Sequence, residues 1–405
     1  MNEVQKKPAL GLIALIVFID MAGMGLIMPV MPSLIMGISD VSVDRAAEIG
    51  GLLLFAYAVM QFLFAPVIGG LSDRFGRRPV LLITLAALGV DYALMAWAPT
   101  LFWLFVGRLI SGIMGATWAA ANSCIADTIE PENRGKIFGI MGGAGAAGFV
   151  LGPAIGGLLG TYNDRWPFVF ASVFALSGAA IGYFILRETL PPEKRRTFSL
   201  ARANPLGSLI QMAQAPLVMG CLITIFFMQL SAQAQGSIWG FYSTLKFGWG
   251  PMTIGWTVAL FGALLVISQG VLVGKAIARF GAVNTARWSL MFGIPSYFIL
   301  AFAGSTSDMV IGILFGCVTG LTFPAMQALM TTRVAEDAQG ELQGAIASTI
   351  SMTAVIGPPV MTSVFGAFAD TSGLYFPGAP FILSAGLLTV AVAVLAVTLR
   401  RYGVN

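Results

Sequence analysis

The chain has 405 residues, 57% of them hydrophobic and only 10% charged, with a net charge of +4 and a mean hydropathy of +0.87. Soluble domains carry about 25% charged residues, so a water-soluble fold lacks the polar surface to cover this much apolar area, and the solvent must be lipid. The basic residues are too dispersed for a nucleic-acid patch, and no nucleophile, base and orienting group converge as an enzyme would require.

A helix that crosses a bilayer needs roughly 20 apolar residues. Twelve stretches qualify. The first, 9–34, is longer than the apolar core of a signal peptide, about 7–15 residues, and is read as a retained span; it carries Asp20. The second, 47–71, holds Gln61 and leads into the loop Gly69-Gly70-Leu71-Ser72-Asp73-Arg74-Phe75-Gly76-Arg77-Arg78. The third, 79–98, carries Asp91. The fourth, 101–126, carries Arg108 and Asn122, with Asp127 at its end read as interfacial. The fifth, 136–160, contains Gly148, Gly152, Pro153, Gly156 and Gly157, and the sixth is 166–186. A charged, proline-broken connection, 187–212, follows and is read as a cytoplasmic linker. It divides the chain into bundles 1–186 and 213–405. The second bundle comprises spans 213–236, 252–274, 284–303, 309–332, 343–367 and 377–399.

Lys and Arg favour cytoplasmic loops. With both termini inside, only Arg45, Arg165 and Lys246 of the 22 basic residues fall outside, and Arg108 lies within a span. An odd number of spans would destroy that asymmetry. The three cysteines, Cys124, Cys221 and Cys317, fall in apolar stretches and suit packing better than a disulfide framework or a metal site. Histidine is absent, so no imidazole relays protons or binds metal. Neither a metal nor a cofactor is expected.

One offset of 205 residues aligns the two halves. It sets Gly69–Gly76 on Gly274–Gly281, Gly139 on Gly344, and Gly152-Pro153 on Gly357-Pro358. The expected fold is therefore all-α and membrane-integral, six spans repeated in parallel, with a pathway at the interface of the repeats. The alignment also exposes divergence. Asp20 falls on Ile225, Asp73 on Ala278, Asp91 on Ser296 and Arg108 on Ile313.

Intramembrane charges are costly, at least about 2.5–3.5 kcal/mol on insertion scales, and mark pathways or proton sites. At 1.5 Å per residue, Asp91 and Arg108 each lie roughly 10 Å from the outer ends of their spans, level enough to pair. Burial favours a neutral carboxyl and a nearby guanidinium favours the carboxylate. An aspartate alternating between such surroundings takes up and releases a proton. Asp91 is assigned as carrier, Asp20 as its partner or a substrate contact, and Arg108 as modulator; a permanent Asp91–Arg108 pair is the structural alternative. Polar residues elsewhere in the spans are candidate cavity contacts: Gln61, Asn122, Gln229, Gln233, Gln269 and Gln327. Gln229 and Gln233 share a helix face, and Trp239 and Phe241 nearby offer aromatic surface to a ring-bearing ligand.

The loop 69–78 fits G-x-x-x-D-R-x-G-R-R and resembles the hallmark loop between the second and third helices of the major facilitator superfamily. Gly148 to Gly157 fits G-x-x-x-G-P-x-x-G-G, similar to the fifth-helix motif of its antiporter branch. Leu104-x-x-x-Arg108-x-x-x-Gly112 resembles the fourth-helix motif of the proton-driven exporters. The run from Asp20 to Pro32, Val90-Asp91-Tyr92, and Gln229, Gln233 and Trp239 resemble tetracycline efflux proteins. The resemblance implies a proton-coupled antiporter in a bacterial inner membrane, acting on a small molecule that is drug-like or amphipathic; because one chain supplies both halves, a monomer is expected. It also implies that Gly69, Asp73, Arg74, Gly76, Arg77 and Arg78 form a cytoplasmic gate, with Gly69 permitting close helix approach. The helix 5 glycines and proline are expected to clear side-chain bulk along one face. The resemblance departs at Leu265, where close tetracycline exporters carry His, and at Gly293, where they carry Asp. The alternative function is an importer or facilitator of a nutrient, siderophore or metabolite, and a non-transport alternative is a membrane sensor.

Overall fold

The computed structural model describes residues 3–115, 121, 124, 125, 127, 129, 131–195, 212, 215–335, 338–371 and 373–403. Among them every regular element is helical. The first span is two helices, α1 (Glu3–Ile27) and α2 (Met31–Ser39), joined by a 3-10 turn at Met28–Val30 that carries Pro29. Proline lacks the amide donor of a continuous helix, and Pro29 and Pro32 mark the break. Next come α3 (Val43–Phe75), α4 (Arg77–Ala96), α5 (Leu101–Met114), α6 (Pro131–Gly160) and α7 (Trp166–Ile185).

The second half holds α8 (Pro216–Phe247), α9 (Pro251–Ile267), a π-helical turn (Ser268–Leu272), and α10 (Val273–Phe302). Then follow α11 (Thr306–Gly316), a 3-10 turn at Cys317–Leu321, α12 (Thr322–Thr331), α13 (Gln339–Ala369) and α14 (Ala379–Arg401). Gly281 has φ 78° and ψ 161°, so α10 is two helices meeting at a turn. Among the described residues, ten helical stretches are long and apolar enough to cross a membrane. One of them, Pro251–Phe302, is 52 residues long and divides at Gly281. With the shorter apolar helix Leu101–Met114, the described residues accommodate the twelve expected spans.

The repeat is written into the backbone. Gly76 has φ 109° and ψ 160° at the start of α4, and its counterpart Gly281 repeats that geometry. Thr100 before α5 (φ −144°, ψ 163°) is matched by Ser305 before α11 (φ −143°, ψ 163°). Arg74 lies over the Phe75 ring at 5.1 Å and Arg279 over Phe280 at 5.5 Å. Helix partners repeat as well. α1 packs on α6 and α7 while α8 packs on α13 and α14, and α4 packs on α7 as α10 packs on α14.

The chain forms two compact units. Unit 1 comprises residues 1–41, 56–204 and 249–259; unit 2 comprises 42–55, 205–248 and 260–405. The start of α3 thus belongs to unit 2 and the start of α9 to unit 1, an exchange related by the same offset. Inside unit 2, Gly51 meets Thr362, and Gly366 meets Glu48. Inside unit 1, a Cβ on Gly157 would lie 2.5 Å from the Pro251 carbonyl oxygen and 3.1 Å from the Gly255 Cα.

A polar cluster at membrane depth

Asp91 is fully buried on α4. Neither carboxyl oxygen has a hydrogen-bond partner among the described residues. Ser111 of α5 faces it but donates its hydroxyl to the Gly107 carbonyl at 2.9 Å. Gly107 makes the approach of α4 to α5 possible: a Cβ there would lie 2.7 Å from Asp91 Oδ1 and 2.7 Å from Met95 Cγ. Arg108 does not form the ion pair with Asp91 that their shared depth allows. Its Nη2 donates to Met95 Sδ at 3.0 Å, and its guanidinium carbon stands 5.9 Å from the Tyr57 ring centre. Its Nε is buried without a partner among the described residues.

Tyr57 of α3 and Tyr92 of α4 both lie within the electrostatic reach of Asp20, Asp91 and Arg108, which makes these residues one cluster. Tyr92 closes over Gly23 of α1, where a Cβ would sit 2.5 Å from the tyrosine oxygen. Asp20 is half-buried three residues earlier. Gln61, expected at the cavity, donates to Tyr57 Oη at 3.0 Å and to the Gly115 carbonyl at 2.9 Å. It braces the cluster from α3. In the second half Ser296 stands at the matching position to Asp91, and its hydroxyl donates to the Gly312 carbonyl at 2.8 Å. There a satisfied hydroxyl replaces the orphaned carboxyl.

The loop motif organises around Arg77. This residue is buried, and its Nη1 pairs with Asp73 Oδ1 at 2.6 Å while its Nε donates to Asp127 Oδ2 at 2.9 Å. Arg78 donates to the Tyr183 carbonyl at 2.7 Å, and Arg74 is exposed. The close helix approach expected at Gly69 is not seen among the described residues, where a Cβ there would meet open space. Asp127, read as interfacial, is exposed and also partners Arg77. The sequence signal was an acid at the same end of the spans as the basic loop 74–78.

The helix 5 glycines serve two faces of α6, not one. Gly148, Gly152 and Gly156, four apart, lie against the α1 backbone at Phe18, Ala22 and Leu26. Gly157 and the Pro153 carbonyl face the start of α9, where that carbonyl closes on Gly255 and the Gly157 Cα lies beneath it, while the Pro153 ring packs on Gly25 of α1.

Among the second-half candidates, Gln233 packs its side chain on Gly357, and Gln229 is half-buried. Trp239 and Phe241 are buried within α8, which runs well past the expected end at 236. Gln327 donates to Gln343 Oε1 at 3.0 Å. Gln269 is exposed on the π-helical turn, a feature often found at functional sites. Asn122 lies outside the described residues. At Gly293 a Cβ would lie 2.6 Å from Leu388 Cδ2 and still closer to Thr319 Cγ2, so an acidic side chain has no room there.

The family model of the Major Facilitator Superfamily matches residues 13–358, with a second match over 221–403 that begins near the start of the second half. The chain belongs to the major facilitator superfamily. Among curated superfamily relatives, the class C tetracycline resistance protein of Escherichia coli is 38% identical over 381 residues, covering 94% of each chain. The class E tetracycline resistance protein of the same organism is 37% identical over 385 residues, covering 94% of this chain and 92% of that one. Among solved structures, a bacterial homolog of the human lysosomal transporter Spinster, inward-facing and occupied, superposes with a TM-score of 0.83 at 16% identity. It covers 99% of this chain and is itself 98% covered. That likeness supports the fold.

Proposed function

We propose that this multi-pass membrane protein is a proton-coupled antiporter that exports a drug-like or amphipathic small molecule, of the tetracycline or multidrug efflux type. The two six-helix halves, 1–186 and 213–405 about the linker 187–212, alternate access to one substrate site. The protein works as a monomer in a bacterial inner membrane with both termini cytoplasmic, and it performs no covalent chemistry on its cargo.

The observation that carries the coupling role is the Asp91 carboxyl, fully buried with both oxygens unpartnered while the nearest guanidinium rests on a thioether. A fixed buried charge without a partner is expensive. The arrangement makes sense where charge at this position changes during the cycle. Asp91 is the carrier in this reading, Arg108 the swinging counter-charge, and Asp20 the partner facing the same tyrosines. Gln229, Gln233, Trp239, Phe241, Gln269 and Gln327 shape the ligand cavity. Gly69, Asp73, Arg74, Gly76, Arg77 and Arg78 make the cytoplasmic gate, and Asp127 joins them.

A susceptibility panel in a pump-deficient bacterial host, with Asp91→Asn beside the unmodified chain, tests both halves of the reading. Resistance to at least one amphipathic antibiotic, lost in the variant at equal expression, is expected. Resistance that survives Asp91→Asn would refute the coupling role, and no resistance to any compound would refute the export role.

A further inference from the structure

Among the described residues, the turn at Gly76 is occupied in the first half and its counterpart at Gly281 is open. Gly76 and Gly281 share a left-handed backbone geometry at matching positions. Around Gly281 a Cβ would meet nothing within 4 Å. At Gly76 its place is filled by the carboxylate of Glu188, from the head of the linker just past α7.

Glu188 is engaged on both sides of this junction. Its Oε1 accepts from the Arg77 amide at 2.8 Å, from the Thr189 amide at 2.9 Å and from the Leu190 amide at 3.0 Å. The first of these donors is the opening amide of α4. A carboxylate at that position satisfies an orphan donor and complements the helix dipole. Leu186 and Leu190 on either side are buried at 2% and 5% exposure, so the linker head is docked rather than draped. Arg78 ties the same junction from the other direction, donating to Tyr183 O in the last turn of α7 and lying 5.3 Å from the Tyr183 ring centre.

Arg77 is thereby held at both ends. Its guanidinium takes Asp73 and Asp127, and its amide takes Glu188. A shift of the linker head moves the α4 N-terminus, and with it the side chain that pairs two carboxylates.

We infer that Glu188 is a positioning residue of the cytoplasmic gate, a latch that fixes the gate turn to the head of the linker and makes the linker part of the gating machinery. It requires three things found together here: a carboxylate one residue before two free amides, a glycine whose missing Cβ admits it, and a helix that begins at the next residue. The inference rests on the alternating-access reading for its functional meaning, but its structural core is testable without a substrate.

Amide hydrogen exchange on the full-length chain in nanodiscs reads the latch directly. Glu188→Ala is expected to speed exchange at Arg77, Thr189 and Leu190 by about tenfold, the loss expected for bonds to a charged acceptor. The turn around Gly281 is expected to stay unchanged. Glu188→Gln, which keeps an acceptor oxygen and the side-chain shape, is expected to recover part of the protection; it also serves if the alanine variant fails to accumulate. Gly76→Ala, whose Cβ would displace the carboxylate, is expected to loosen all three amides.

In everted vesicles with tetracycline as probe, Glu188→Ala is expected to lower the maximal rate while the half-saturating concentration stays within roughly twofold. Unchanged exchange at Arg77 in Glu188→Ala would overturn the latch, as would glutamine behaving no better than alanine. If the unmodified chain moves no tetracycline, that result counts against the functional reading, and the exchange result alone decides the latch.

Discussion

Two glycines ten residues apart on α6 should respond to alanine with opposite signs. At Gly152 a Cβ would lie 2.6 Å from the Ala22 carbonyl oxygen and 3.1 Å from both the Ala22 and Gly25 Cα atoms. These are backbone atoms of α1, so no side-chain rotation relieves the clash. Ordinary carbon contacts lie at about 3.5–4.0 Å, so α1 and α6 must part by roughly 0.5–1 Å, which forfeits a quarter to a half of the dispersion attraction across the opened contact. Overpacking of this kind costs about 1–3 kcal/mol, offset by about 0.5–1 kcal/mol from replacing a helical glycine. At Gly142 a Cβ would meet nothing within 4 Å, so only the favourable part applies. The two variants should therefore differ by about 1–3 kcal/mol in the same helix. Thermal unfolding of the detergent-solubilised protein, followed by fluorescence-detected size exclusion, measures the difference. A Gly152→Ala variant as stable as the unmodified chain, or a Gly142→Ala variant equally damaged, would refute the packing argument.

Three further outcomes are expected. Arg77→Gln should impair export by removing the cation shared by Asp73 and Asp127, and Asp127→Asn added to it should restore part of the activity; a double-mutant cycle should return a coupling of about 0.5–3 kcal/mol, and strict additivity would contradict the pairing. Gly293→Asp should lower the yield of folded protein, because its Cβ meets Thr319 and Leu388; normal yield would contradict that. The Asp164 carboxyl, in the loop between α6 and α7, is held above the usual carboxylate range by burial, with the Ser33 hydroxyl donating at 2.6 Å and pulling it back down. The folded state thus binds this proton more tightly than the unfolded chain, so the group favours the fold at low pH and its contribution fades as pH rises through the folded value. Melting curves across pH 4–7 should lose that component in Asp164→Asn.

The fold was legible because the repeat is carried by residues with backbone consequences. Gly76 and Gly281 sit at one offset and adopt one turn, and Gly152-Pro153 and Gly357-Pro358 fall in equivalent helices. Helix ends were less legible. The first span breaks at Met28–Val30, and α8 continues to Phe247, because packing rather than hydropathy decides where a helix stops. The membrane charges announced themselves by their insertion cost. What they touch did not, since Arg108 chose the thioether of Met95 over the carboxylate of Asp91. Asp127 and Glu188 reach Arg77 across 50 and 111 residues of chain, and no local pattern encodes such pairings.

The central claim is that Asp91 couples a proton gradient to export. Purified protein in liposomes with an imposed pH gradient tests it most directly, using the antibiotic found in the susceptibility panel as the transported probe. The unmodified chain should accumulate the probe against its gradient, and Asp91→Asn should bind the probe and exchange it without accumulating it. Gradient-driven accumulation by Asp91→Asn at the unmodified rate would contradict the account.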